Sequence, residues 1–322
     1  MKSKILLSSF VLFLITISYS FYFLNKSLYL DQSKILYIEP GSSLNTISNL
    51  LKEKNIYKQV NLFKAYVVLT GKSRNLRSGE YKFSEDTTLK EIVKKIEKGD
   101  VFYREFRLKE GQTWLSIKQD FLNEDHIISD LDKDDLIDRF NINYNSLEGL
   151  FHPDTYYYKR GDKASSILER AHRAHVRILN STWDTRSINI GVETDYEALI
   201  LASIIEREGV ERTKISGVFN RRLLKNMKLQ SDPTVIYAMG EKYEGNIQKS
   251  DLRIKHPYNT YVFKGLPPSP IGLVSESSIK ASVNPEIGNS LYFVSKGDGT
   301  HKFSDNLEDH NKAVKKYQLK IK

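Results

Sequence analysis

One stretch constrains the fold more than any other. Residues 196–209 read Tyr196-Glu197-Ala198-Leu199-Ile200-Leu201-Ala202-Ser203-Ile204-Ile205-Glu206-Arg207-Glu208-Gly209. The run has the length of a helix and is apolar around most of its circumference, so most of its surface must meet protein. Asp195 can cap its start. Its end delivers two carboxylates just before a glycine. Separation by two residues turns Glu206 and Glu208 roughly 200° apart about the axis, so they cannot share one site as a helical pair. Glu208 falls on the side of Leu201, Ile204 and Ile205, where desolvation raises a carboxyl pKa and keeps a proton available near neutrality. The plain alternative is two surface carboxylates beside Arg207, Arg212 and Lys214.

The N-terminus carries a second constraint. Ile5 to Leu24 is an uncharged, mainly apolar run of 20 residues that follows Lys2 and Lys4. As a helix it is about 30 Å long, one hydrocarbon crossing. A cleaved signal peptide is the rival reading, but no small-x-small pattern follows the run. The expectation is therefore an uncleaved transmembrane helix over 5–24 with residues 1–4 cytoplasmic. The chain would be a single-pass inner (cytoplasmic) membrane protein with its bulk extracytoplasmic or periplasmic. The absence of cysteine excludes disulfides, thiol catalysis and Cys-ligated metal. A formal charge of +9 permits attraction to a polyanion and selects none.

From Lys34 to about residue 120 the pattern alternates short strands and helices, a small α+β region. Ile35 to Ile38 reads as a strand, Pro40-Gly41 as a turn, and Leu44, Ile47, Leu50 and Leu51 as one helical stripe capped by Ser42 or Ser43. Leu62 to Leu69 reads as a second helix. Gly79 to Phe83 begins another strand, followed by Leu89, Ile92, Val93 and Ile96 at helical spacing, ending near Gly99. The segment from Ile38 to Ile47 is echoed 70 positions later by Leu108 to Ile117. That is a reused strand-turn-helix unit, read either as a packing module or as a glycan-binding one. Residues 121–160 form a connector that begins acidic and ends in Phe151-His152-Pro153-Asp154-Thr155-Tyr156. A mixed α+β domain spans 161–322, with helices expected over Ser165 to Ile178 and Val235 to Met239.

Two loops in that domain are rich in fixed donors and acceptors. The first is Leu229-Gln230-Ser231-Asp232-Pro233-Thr234. The second is His256-Pro257-Tyr258-Asn259-Thr260-Tyr261, which leads to Gly265-Leu266-Pro267-Pro268. Amides, hydroxyls and tyrosine faces suit sugars, and prolines stiffen such loops. They are equally compatible with two ordinary connections. His301 reads as part of a hairpin between Leu291-Tyr292-Phe293-Val294 and Lys302-Phe303, able to orient a loop or to carry a proton.

Taken together, Leu201 to Glu208, Leu229 to Gly240, and Tyr258 to Tyr261 with Gly265 to Pro268 resemble the endolytic murein transglycosylase family, the YceG-like proteins called MltG. The likeness extends to the N-terminal run, Gly79-Glu80-Tyr81, Pro153 to Tyr156 and the C-terminal end. It implies cleavage of the β-1,4 bond between N-acetylmuramic acid and N-acetylglucosamine in nascent glycan strands, leaving a 1,6-anhydro-muramyl end. It also implies a LysM-like subdomain over 34–120 and a catalytic domain over 161–322. The family's catalytic carboxylate transfers to Glu208. On that reading Gln230, Asp232, Tyr258, Asn259 and Thr260 bind substrate, while Glu206, Arg221, Asp154 and His301 support the site. Gly209 stands where the family more often has Thr, and His152 where a bulkier residue often precedes Pro-Asp-Thr.

The implied partners are peptidoglycan glycan strands and the cell-wall synthases of the membrane. No cofactor and no metal is expected, and no nucleic acid, since finger, helix-turn-helix and RNP signatures are absent. A noncatalytic, membrane-tethered peptidoglycan-binding or scaffold protein is the competing class.

Overall fold

A computed structural model describes residues 22–319 together with Phe10, Leu14, Ile15 and Ser18. The architecture is α+β. Among the described residues the strands form three two-stranded sheets, β1 (Lys34–Ile38) with β2 (Gly79–Phe83), β3 (Arg104–Arg107) with β4 (Thr155–Tyr158), and β5 (Tyr292–Ser295) with β6 (His301–Ser304). The chain divides into two compact units, one reaching Arg104 and including Tyr157–Gly161, the other made of Glu105–Tyr156 and the residues from Asp162 on.

The expected membrane anchor needs correction. Among the described residues no helix is long and apolar enough to cross a membrane. The longest described helix, α6 (Ala164–Trp183), has the length but carries Glu169, Arg170, Arg173 and Arg177. Its apolar residues Ile167, Leu168, Ala171 and Leu179 are buried against protein. Most of residues 5–24, and all of 1–4, lie outside the described residues. The transmembrane helix, the single-pass topology and the inner-membrane placement therefore have no helix among the described residues to support them.

In the first unit β1 and β2 pair antiparallel with Leu36 opposite Tyr81. Against them pack α1 (Leu44–Glu53), α2 (Val60–Leu69) and α3 (Leu89–Lys98). Leu36, Ile38, Ile47, Leu51, Phe63, Val67, Tyr81, Phe83 and Ile92 close one core. Helix α3 is bounded by sequence alone. Thr88 and Glu91 form a capping box, and Gly99 ends it at φ 67°, a conformation that costs other residues energy.

The second unit is built around α7 (Asp195–Glu208). Its cap is Thr194, whose side chain accepts from the Glu197 N–H at 3.1 Å, one residue before the expected Asp195. Residues Ala198 through Ile205 are all buried. Leu201, Ile204 and Ile205 join one apolar cluster with Ile215, Phe219, Leu229 and Ile271, while Leu199 and Ala202 join another with Leu150, Val274 and Ile279. The helix thus packs on both faces, as its composition demanded. Around it lie α6, α8 (Arg212–Leu224), α9 (Asp232–Met239) and α10 (Glu276–Val283). Helix α4 (Trp114–Leu122) repeats the geometry of α1. Gly41 and Gly111 turn at φ 80° and 70°, and Ser43 and Thr113 then cap the two helices in the same way. A short helix, α5 (Lys133–Arg139), follows Asp132, and α11 (Leu307–Tyr317) follows the β5-β6 hairpin.

Candidate active site

The helical twist separates the two carboxylates of α7 as geometry required. Glu206 turns into protein. Its Oε1 accepts from Arg212 at 2.7 Å, and its Oε2 accepts from the Ser275 N–H at 2.8 Å and from the Ser275 hydroxyl. Burial works against its charge, but these donors outweigh it and hold the carboxyl below its ordinary range. Its side chain is only 4% exposed, which identifies a structural ion pair.

Glu208 turns the other way, into a cleft of about 800 Å³ lined among others by Gln230, Asp232, Tyr261, Tyr292 and His301. The Ser231 hydroxyl donates to its Oε1 at 2.5 Å. Among the described residues nothing hydrogen-bonds its Oε2. Burial pushes the Glu208 carboxyl up to about 7; the Ser231 bond and the Arg222 charge oppose the rise, and the Asp232 charge reinforces it. Because Ser231 donates to Oε1, the acid proton belongs on Oε2.

The chain spends local strain to place Ser231. Gln230 adopts φ 53°, left-handed backbone that a glutamine rarely occupies. The turn is held by the Gln230 N–H on Thr260 O at 3.2 Å, the Ser231 N–H on Thr260 Oγ1 at 3.0 Å, and Thr234 Oγ1 on Ser231 O at 2.7 Å. Immediately afterwards α9 starts, with Pro233 in a first turn where no N–H is needed. Asp232 is exposed to the cleft and accepts from the Tyr261 hydroxyl at 2.6 Å.

The structure sorts the residues singled out in the sequence. Glu208, Gln230, Asp232 and His301 meet at one cleft. Tyr258, Asn259 and Thr260 are not among its lining residues. Asn259 is fully buried, and its amide donates to Ile254 O at 2.9 Å and Leu252 O at 3.2 Å while its Oδ1 accepts from the Tyr261 N–H. Thr260 is spent on Ser231 and Thr234, and the Tyr258 hydroxyl meets Ser269. Arg221 donates to Ser290 O and Glu286 O, and Asp154 accepts from the Thr155 N–H; neither lines the cleft.

Sequence reasoning missed Ser231, Arg222 and Glu148. Arg222 is buried on the cleft wall, donates to Leu291 O, Leu229 O and Gln230 Oε1, and lies 5.1 Å from the Tyr292 ring centre. Glu148 is 5% exposed, accepts from the Trp114 N–H at 3.0 Å and the Tyr237 hydroxyl at 2.9 Å, and is pushed up to about 7 chiefly by burial. Only Ser231 carried a signal, its place between Gln230 and Asp232 in a polar turn. Among the described residues no cluster of His, Asp and Glu is arranged to hold a metal ion. What the arrangement offers is one cleft-facing carboxyl able to give and retake a proton, flanked by an amide and a second carboxylate.

The sequence pattern of the YceG-like family matches residues 36–316. An endolytic murein transglycosylase of Bacillus subtilis strain 168 is 33% identical over 305 residues, 87% of this chain and 83% of that protein. One from Streptococcus pneumoniae strain D39 is 27% identical over 361 aligned positions, which take in 97% of this chain and 65% of the relative. A crystal structure of a YceG-like protein from Listeria monocytogenes superposes with a TM-score of 0.55 at 31% identity, covering 88% of this chain and 99% of the other. The chain belongs to the YceG-like family, that of the endolytic murein transglycosylases.

Proposed function

We propose that the chain is an endolytic peptidoglycan lytic transglycosylase that cuts the β-1,4 bond between N-acetylmuramic acid and N-acetylglucosamine in nascent glycan strands. Glu208 performs both proton transfers. In the first, the proton on Oε2 passes to the glycosidic oxygen as positive charge develops at the muramyl C1 and the C–O bond breaks. In the second, the resulting carboxylate takes the proton of the muramyl C6 hydroxyl, whose oxygen bonds to C1 and closes the 1,6-anhydro ring. The nucleophile belongs to the substrate, so one carboxylate suffices and no ordered water is recruited.

The observation that carries this reading is the Glu208 carboxyl itself. It lines the cleft, is held by Ser231 on one oxygen, and is desolvated enough to keep a proton near neutrality. Gln230 and Asp232 hold hydroxyl and acetamido groups of the sugars, while Asn259 and Thr260 hold the loops behind them. Strands of this kind come from cell-wall synthases, which makes those enzymes the natural partners.

Product analysis on uncrosslinked glycan strands tests the reaction. Transglycosylation yields a muramyl end lighter by one water than the reducing end left by hydrolysis. A reducing end as the main product would refute the internal attack, and binding without any cleavage would leave a glycan-binding protein in its place.

A further inference from the structure

The cleft holds a second device. His301 opens β6, and its ring is held by Glu211, Phe293 and Phe303. Its backbone N–H donates to Glu211 Oε2 at 2.7 Å, and its Nδ1 lies 3.2 Å from the same oxygen. Phe293 and Phe303 meet the ring edge-on at 5.4 and 6.1 Å. Gly209, directly after Glu208, has φ 152°. A Cβ there would sit 3.1 Å from His301 Cε1, so this glycine admits the ring beside the acid.

Glu211 is an ionised acceptor. Slight burial works against its charge, but the His301 N–H, Lys214 and the His301 ring together hold it below the usual carboxylate range. A carboxylate can only accept, so Nδ1 carries the proton, and in the neutral ring Nε2 is then an acceptor. Among the described residues nothing hydrogen-bonds Nε2, although His301 lines the same cleft as Glu208. Glu211, Phe293 and Phe303 orient the ring, and one acceptor is left over. That is the pattern of a preorganised binding group, not of a hairpin tie satisfied on both nitrogens.

We infer that His301, its tautomer set by Glu211 and its place by Gly209, is a substrate-positioning residue whose Nε2 accepts a hydrogen bond from a sugar hydroxyl or acetamido N–H in the Glu208 cleft. The inference rests on the glycan reading of that cleft. It assigns His301 a contact with substrate and Glu211 a role exerted through it.

Long-range proton–nitrogen correlation spectra of the Glu208→Gln chain, titrated with uncrosslinked glycan strands, test it. The free chain should carry the imidazole proton on Nδ1, and the Nε2 resonance should move as glycan saturates. In the otherwise native chain, His301→Ala should raise KM for glycan about tenfold with a smaller change in kcat. A proton resident on Nε2, or an Nε2 signal unmoved at saturation, would overturn the inference even while the native chain forms anhydro ends. A native chain that cuts nothing yet shows the Nε2 shift would leave the inference standing and remove the proposed reaction.

Discussion

Replacing Ser231 by Ala tests the acid most sharply, because the bond it removes acts on one ionisation state. The Ser231 hydroxyl donates to Glu208 Oε1 at 2.5 Å from a side chain that is 1% exposed. A hydrogen bond to a charged group at a buried site contributes about 1.5–3 kcal/mol, and one pKa unit corresponds to about 1.4 kcal/mol. Losing the donor destabilises the carboxylate and leaves the acid form nearly untouched. The Glu208 pKa should therefore rise from about 7 by roughly one to two units. In the proposed reaction cleavage starts from the protonated form, so kcat/KM should fall as pH rises through that pKa. In Ser231→Ala the alkaline limb of the profile should move to higher pH. The plateau below it should drop about tenfold, because the carboxyl loses the bond that fixes its orientation. The assay is the rate of anhydro-end formation against pH, with circular dichroism to confirm the fold. A limb that stays put, or moves to lower pH, would refute the reasoning.

Other perturbations separate structure from chemistry. Glu206→Gln should lower stability by about 2 kcal/mol at neutral pH in a denaturant titration and leave the alkaline limb unmoved, since the carboxylate serves Arg212 and Ser275. The stabilisation it removes is present above the ordinary carboxyl pKa and is lost as pH falls through the depressed one. Glu148 behaves oppositely. Its pKa is raised to about 7, so the folded chain binds a proton that the unfolded chain has released, and stability falls as pH rises from about 4.5 to 7. Glu148→Gln should flatten that slope in thermal melts and stabilise the chain at pH 8 by about 2 kcal/mol. Gly149→Ala should cost about 3 kcal/mol, because φ is 78° and a Cβ would lie 2.5 Å from the Pro270 Cβ.

Local pattern carried the central helix and little of what surrounds its end. The apolar density of residues 198–205 required burial on both faces, and the two-residue spacing alone divided Glu206 from Glu208. Helix ends were harder to place. Apolar spacing stopped at Ile178, yet α6 runs to Trp183 because Leu179 and Thr182 stay buried against the second unit's own elements. Asn259 and Thr260 read as sugar-binding groups because polar loop residues are often exposed. In the fold they satisfy the N–H and carbonyl groups of a buried loop, a demand that no local pattern reveals. Ser231 depends on the left-handed turn at Gln230, a conformation held by Thr260 some thirty positions later and therefore invisible in a window of neighbours. The anchor failed for another reason. A run of 20 mainly apolar residues meets a length requirement, and length with apolarity does not establish that a spanning helix forms.

The measurement closest to the central claim is mass spectrometry of the ends produced from uncrosslinked glycan by the native chain and by Glu208→Gln. The amide keeps the shape and an acceptor for Ser231 but has no acid proton to give. The account predicts anhydro-muramyl ends from the native chain and none from the variant, with glycan still bound. Anhydro ends formed by Glu208→Gln at near-native rate would contradict it.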